Sequence, residues 1–154
     1  MGNVFLRKCL KYRDNDKFQK FTLNNYSTYC KILSVYDGDT CTIGFKWHDG
    51  TYYSTRVRML GYDSPEMKPR LNVKNRDKVI IKAHKAKEFL LDLTANKILW
   101  VEFGDFDKYG RPLAKLYTEN RNCCIPCIYS REEVNQKMLD NGHGYEYFGG
   151  TKNK

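Results

Sequence analysis

Between Cys41 and Met59 apolar side chains return on alternate residues, and this alternation constrains the fold more than any other feature of the chain. Cys41, Ile43, Phe45 and Trp47 alternate with Thr42, Gly44 and Lys46, the period-2 pattern of a strand with one buried face. His48-Asp49-Gly50 supplies a turn, and Thr51, Tyr52 and Tyr53 start the next strand. There Val57 and Met59 share one face, so Arg56 and Arg58 share the other. An earlier strand, about Tyr29 to Tyr36, ends in the turn-forming stretch Asp37-Gly38-Asp39-Thr40. Three strands in succession must therefore meander.

The second half of the chain limits how the meander can be covered. Val79, Ala83, Ala86, Leu90 and Leu93 recur at spacings that place them on one side of a helix, with Lys82, Lys85 and Lys87 elsewhere around it. Ile98 to Phe103 and Leu113 to Tyr117 read as two more strands, joined through Asp107-Lys108-Tyr109-Gly110-Arg111-Pro112. Ser130-Arg131-Glu132-Glu133 has the form of a capping box, predicting a last helix from there to Asn141-Gly142. The expected class is α+β, mainly β, in the order βββ-α-ββ-α. It is compatible with a five-stranded OB-type barrel and, on periodicity alone, with other α+β arrangements. Residues 1–25 are basic and without periodicity, which predicts a flexible extension ahead of a single folded domain over 26–154.

The formal charge of +9 calls for a polyanionic partner, nucleic acid or an anionic membrane surface. Met67 to Lys87 holds eight Lys or Arg against Asp77 alone, a run that serves equally as a solvated helix face or a phosphate-tracking surface. No apolar run is long enough for a membrane span and the N-terminus has no secretory block, so an intracellular protein, in cytoplasm or nucleus, is expected. Met1-Gly2-Asn3-Val4-Phe5-Leu6 partly fits a myristoylation signal, with Leu6 where Ser or Thr belongs. Membrane association would need Gly2 acylated and further help from Arg7, Lys8 and Cys9; a plain basic tail is the simpler reading. The six cysteines are expected to be free thiols. Cys123, Cys124 and Cys127 could form half a zinc site or a redox pair, but no second CxxC completes four ligands, so they predict inert loop thiols.

Chemistry concentrates at strand ends. Asp39 and Asp63 could converge on a hard divalent cation if the strands carrying them come together, although an aspartate in DGD or YDSPE is more often a turn former. Arg58 and Arg111 could clamp a phosphodiester with their planar forks, where surface arginine is the commoner case. Glu66 could take a proton from an attacking water, or be an ordinary exposed side chain.

Taken together, SVYDGDTCTI, RVRMLGYDSPE, AHKAKEFL, VEFGDFDKYGRPLAKLY and VNQKMLDNGHGY, in this order, resemble the staphylococcal nuclease (thermonuclease) family over about residues 29–148. The resemblance implies an OB-type barrel and calcium-dependent hydrolysis of DNA and RNA with little base specificity, leaving 3′-phosphate ends. It implies Asp39, Asp63 and the Ser64 carbonyl as Ca2+ ligands, and Arg58, Glu66 and Arg111 as catalytic residues. Lys108 and Tyr109 would touch a terminal phosphate of bound nucleotide, and Tyr147 or Phe148 would stack on its base. The expected protein is a monomer acting on single-stranded or frayed regions. Its chain stops soon after Gly149-Gly150, short of the founding member's further helix. A non-catalytic nucleic-acid-binding module, or a membrane-docked adaptor, would leave the set Asp39, Asp63, Glu66, Arg58 and Arg111 without a purpose.

Overall fold

The computed structural model describes residues 2–121 and 129–148, so Cys123, Cys124, Cys127 and Gly149-Gly150 lie outside the described residues. The predicted meander is present: β1 (Ser27–Val35), β2 (Thr40–Lys46) and β3 (Tyr52–Met59) pair antiparallel in succession. β1 also pairs with β5 (Leu99–Phe106), and β5 with β6 (Pro112–Arg121). A short parallel pairing of β3 with β6, Arg58 opposite Leu113 and Met59 opposite Ala114, closes five strands into a mixed barrel of the OB type.

The barrel interior is filled by the alternating residues the sequence marks. Cys41, Ile43, Val57, Met59, Leu99, Val101, Ala114 and Leu116 are all buried, and the thiols of Cys30 and Cys41 are pushed up to about 12 by that burial. α2 (Arg76–Thr94) covers one end, burying Ala83, Ala86 and Leu90 on one face. α3 (Val134–Asp140) covers the closing seam with Val134 and Met138. Its Asn135 lies inside that seam. The side-chain amide donates to the carbonyls of Leu60 (2.7 Å) and Ala114 (3.1 Å) and accepts from the Leu116 amide (3.1 Å). A polar group buried so deeply is tolerable because each of these bonds is made.

Two expectations are corrected. The stretch from Ser130 does not cap a helix: Tyr129–Glu133 is a strand, β7, paired with β6, and α3 begins only at Val134. Glu132 and Glu133 are drawn off to Lys137 and Lys115, so neither closes a capping box. The segment before residue 26 is not structureless. It holds α1 (Gly2–Lys11), a 3-10 turn at Asn15–Lys17, and Leu23, which is buried in the core. Tyr26 stacks on Phe103 at 6.0 Å and their main chains are bonded, which draws this segment onto β5. Two further short strands, β4 (Gly61–Asp63) and β8 (Tyr145–Tyr147), form a separate pair beside the barrel. Among the described residues no helix is long and apolar enough to cross a membrane.

Candidate active site

The site forms where the barrel closes. Thr40 opens β2 directly opposite Arg58 near the end of β3, and the Met59 amide donates to the Asp39 carbonyl at 2.8 Å. The chain then turns at Gly61, with φ +93, and β4 brings Asp63 and Ser64 back against the β1–β2 loop. Two features hold that loop in place. The buried Tyr62 hydroxyl donates to the Gly38 carbonyl at 2.7 Å. A Cβ at Gly38 would stand 2.7 Å from the Ala86 Cβ and 2.8 Å from the Ser64 Cβ, so only glycine lets loop, turn and α2 meet so closely.

Asp39 and Asp63 are thereby brought onto one guanidinium nitrogen. Arg58 Nη2 lies 2.6 Å from Asp63 Oδ1 and 3.4 Å from Asp39 Oδ2. The Ser64 amide donates to Asp39 Oδ2 (3.1 Å), the Thr40 hydroxyl to Asp39 Oδ1 (2.8 Å) and the Tyr145 hydroxyl to Asp63 Oδ2 (2.7 Å). Both aspartates are buried. Burial first, then the neighbouring Asp63 and Asp37, push the Asp39 carboxyl up to about 7 against the opposing pull of Arg58 and Thr40. Burial also works against the Arg58 charge, but Asp39 and Asp63 prevail and raise its pKa.

Arg111 reaches the same place from the β5–β6 connection. Asp107 accepts from the Arg111 amide (2.9 Å), from Arg111 Nε (2.7 Å) and from the Tyr109 amide (2.8 Å). Arg111 Nη1 donates to the Thr40 hydroxyl at 3.4 Å. Partial burial raises the Asp107 carboxyl, yet the Arg111 and Tyr109 bonds outweigh it and hold it below its ordinary value.

A cavity of about 220 Å³ is bordered by Asp37, Asp39, Arg58, Asp63, Glu66 and Arg111 together, with Ser64 also on its wall. A neighbouring cavity of about 580 Å³ shares Arg58, Asp63, Glu66 and Arg111 and adds Lys108, Tyr109, Tyr147 and Phe148. Every sequence-predicted position thus lies at one of two adjoining hollows. The Tyr147 ring centroid lies 5.9 Å from the Arg58 guanidinium carbon, while Phe148 is largely exposed.

Four residues at the site were not assigned a role from sequence. Asp37 and Thr40 flank Asp39 within the DGDT stretch and shape its charge; their signal was present, but it merged with that of a turn. Asp107 opens DKYGR and its hold on Arg111 follows from an i,i+4 spacing that a tight loop can close. Tyr145 meets Asp63 only through the β4–β8 pairing, and no local pattern announces it.

The donor set fits a hard cation. Two buried carboxylates share one arginine, and oxygen is the donor type that Ca2+ takes. Among the described residues no group of three or more His, Cys, Asp or Glu side chains is placed to hold a metal, so a cation here would draw its remaining ligands from main-chain oxygen and water.

The closed OB-type barrel, with two arginines and two buried aspartates at its seam, has a counterpart among known families. Staphylococcal nuclease homologues match residues 56–154, more than half of the chain, and the chain belongs to that family. The matched span takes in Arg58, Asp63, Ser64, Glu66 and Arg111 but begins after Asp39, whose place rests on the DGDT stretch and on its contact with Arg58. A search among curated proteins found no match.

Proposed function

We propose that this protein is a calcium-dependent phosphodiesterase that hydrolyses DNA and RNA with little base specificity and leaves 3′-phosphate ends. The observation that carries the reading is the meeting of Asp39, Asp63, Glu66, Arg58 and Arg111 around one cavity of about 220 Å³. A binding-only module would make use of the basic charge but would have no need of three carboxylates gathered beside the phosphate-binding arginines.

Asp39, Asp63 and the Ser64 carbonyl would hold the ion. When bound, calcium supplies Lewis-acid stabilisation of charge on the phosphate oxygens. Arg58, on β3, and Arg111, from the β5–β6 connection, line the same cavity and would receive the phosphodiester between them. As water attacks, a P–O bond forms and the bond to the 5′ oxygen breaks; the extra negative charge of the five-coordinate transition state falls on the two guanidiniums. Glu66, exposed and lining both cavities, would orient the water and take its proton. Lys108 and Tyr109, both exposed on the rim, would meet a terminal phosphate, and Tyr147 a base. These groups read backbone and ring faces, so the expected partners are single-stranded or frayed DNA and RNA of any sequence.

The test is nicking of plasmid DNA and digestion of single-stranded DNA and RNA by the full chain in calcium, in magnesium and in chelator. Expected are calcium-dependent cleavage, abolished by chelator, and a loss of roughly 10²- to 10³-fold in Arg111→Ala. Polynucleotides left intact in calcium would overturn the assignment.

A further inference from the structure

The outer face of the β1–β2–β3 sheet runs straight out of the active site. Opposed residues share a face, and the register sets Thr40 against Arg58, Thr42 against Arg56, Gly44 against Ser54 and Lys46 against Tyr52. Lys31 lies opposite Gly44 on the other side. Arg58, in the site, therefore begins a line that passes Arg56 and ends at Tyr52, six residues away and about 20 Å along the strand.

That line carries cations and rings together. The Arg56 guanidinium carbon lies 5.4 Å from the centroid of Tyr36, and Lys46 Nζ lies 5.7 Å from that of Tyr52. Tyr36 is 58% exposed and Tyr52 77%. No Asp or Glu stands among the outward positions of these three strands. Glu119, at the corner beyond β1, is bonded to Tyr29 and Arg131. Bare Gly44 makes a floor: a Cβ there would stand 3.2 Å from Leu33, which lies across it, and a hollow of about 650 Å³ opens between Lys31, Leu33, Lys46 and Tyr52. Tyr36 also borders the cavity that holds Asp39 and Glu66, so face and site are continuous.

Exposed rings beside uncompensated cations are what a single strand needs, since bases stack on the former and phosphates follow the latter. We propose that the outer face of β1–β2–β3 is an extended binding track for single-stranded nucleic acid, receiving the strand on one side of the cleaved linkage. Bases stack on Tyr36 and Tyr52, while Arg56, Lys46 and Lys31 follow the phosphates. The length matches a site of about four nucleotides. The track deepens the nuclease reading and rests on it for the direction of the strand.

The test compares a dinucleotide with a single strand of about twelve nucleotides, the latter long enough to cover the track. In Tyr52→Ala and Lys46→Ala, KM for the long strand is expected to rise roughly fivefold or more, with kcat unchanged and dinucleotide kinetics unaffected. Tyr52→Phe, which keeps the ring, should behave as wild type. An unchanged KM for the long strand in both alanine variants overturns the track, as does a rise confined to duplex DNA. Should wild-type protein cleave nothing, the hydrolase reading falls by itself, and equilibrium binding of the fluorescent long strand decides the track: weaker binding by Tyr52→Ala supports it, equal binding overturns it.

Discussion

Two aspartate–arginine contacts line the same hollow, and they have opposite character. In the floor, built on the barrel strands and β4, Arg58 serves two buried carboxylates at once, with Asp37 near by. Burial and the surplus of negative charge push Asp39 up to about 7. On the rim, Asp107 and Arg111 are matched one to one within one loop, and against partial burial the Arg111 and Tyr109 bonds hold the Asp107 carboxyl below its ordinary value. The same residue types thus give a floor with two buried carboxylates on one arginine and a rim with one carboxylate on one arginine. On the proposed reading a cation would sit in the first, and the second would aim a guanidinium.

If the floor and its mouth hold the chemistry, the largest losses come from there. Glu66→Gln is expected to lower kcat by about 10²- to 10⁴-fold. A kcat within about tenfold of wild type would remove Glu66 from proton handling. Arg58→Ala is expected to cost roughly 10²- to 10³-fold in kcat. It should also change stability, because it strands two carboxylates, a loss on the order of 3–5 kcal/mol for a buried pair broken on one side. Arg111→Ala should match it in activity but leave stability nearly intact, since Asp107 keeps its backbone donors. Chemical denaturation of both variants decides this; equal destabilisation would erase the distinction between floor and rim.

The floor was largely legible in the sequence, because strand alternation fixes which side Arg58 takes and because DGDT and YDSPE are each compact. What could not be read was how the pieces are held together. Gly38 is needed for its contact with α2 and Ser64, Asn135 for three bonds across the seam, and Tyr145 for Asp63, and each acts on a neighbour far along the chain. The misread helix start at Ser130 has the same origin. A capping pattern is local, whereas pairing with β6 and the pull of Lys115 and Lys137 on the two glutamates are not. Likewise Leu23 looks like part of a polar tail until β5 supplies the core it enters.

A smaller effect separates the rim from a mere surface loop. Asp107→Asn should release Arg111 and lower kcat by about tenfold, within the range that misplacing a positioned group by ~1 Å can cost. Its stability cost should be about 1 kcal/mol at neutral pH. The sign with pH follows from a folded carboxyl held below its unfolded value: the charged form stabilises the fold above that unfolded value, and the contribution is lost as pH falls through the folded one. The gap between wild type and Asp107→Asn should therefore close on acidification below about pH 4, as measured by denaturation at a series of pH values. A gap that persists there would mean that the loop depends on shape and not on charge.

The smallest expected effect bears on how far the chemistry extends outward. Tyr109 is 71% exposed, with Lys108 Nζ 5.0 Å and the Arg111 guanidinium carbon 5.5 Å from its ring centroid. Cation–ring contacts in water are weak, so Tyr109→Ala should raise KM only about two- to fivefold and leave kcat alone. Such a result would place Tyr109 with substrate binding and leave the aiming of Arg111 to Asp107. If kcat instead fell as far as in Arg58→Ala, the ring would be what holds Arg111 in line during the reaction, and floor and rim would have to be treated as one catalytic unit.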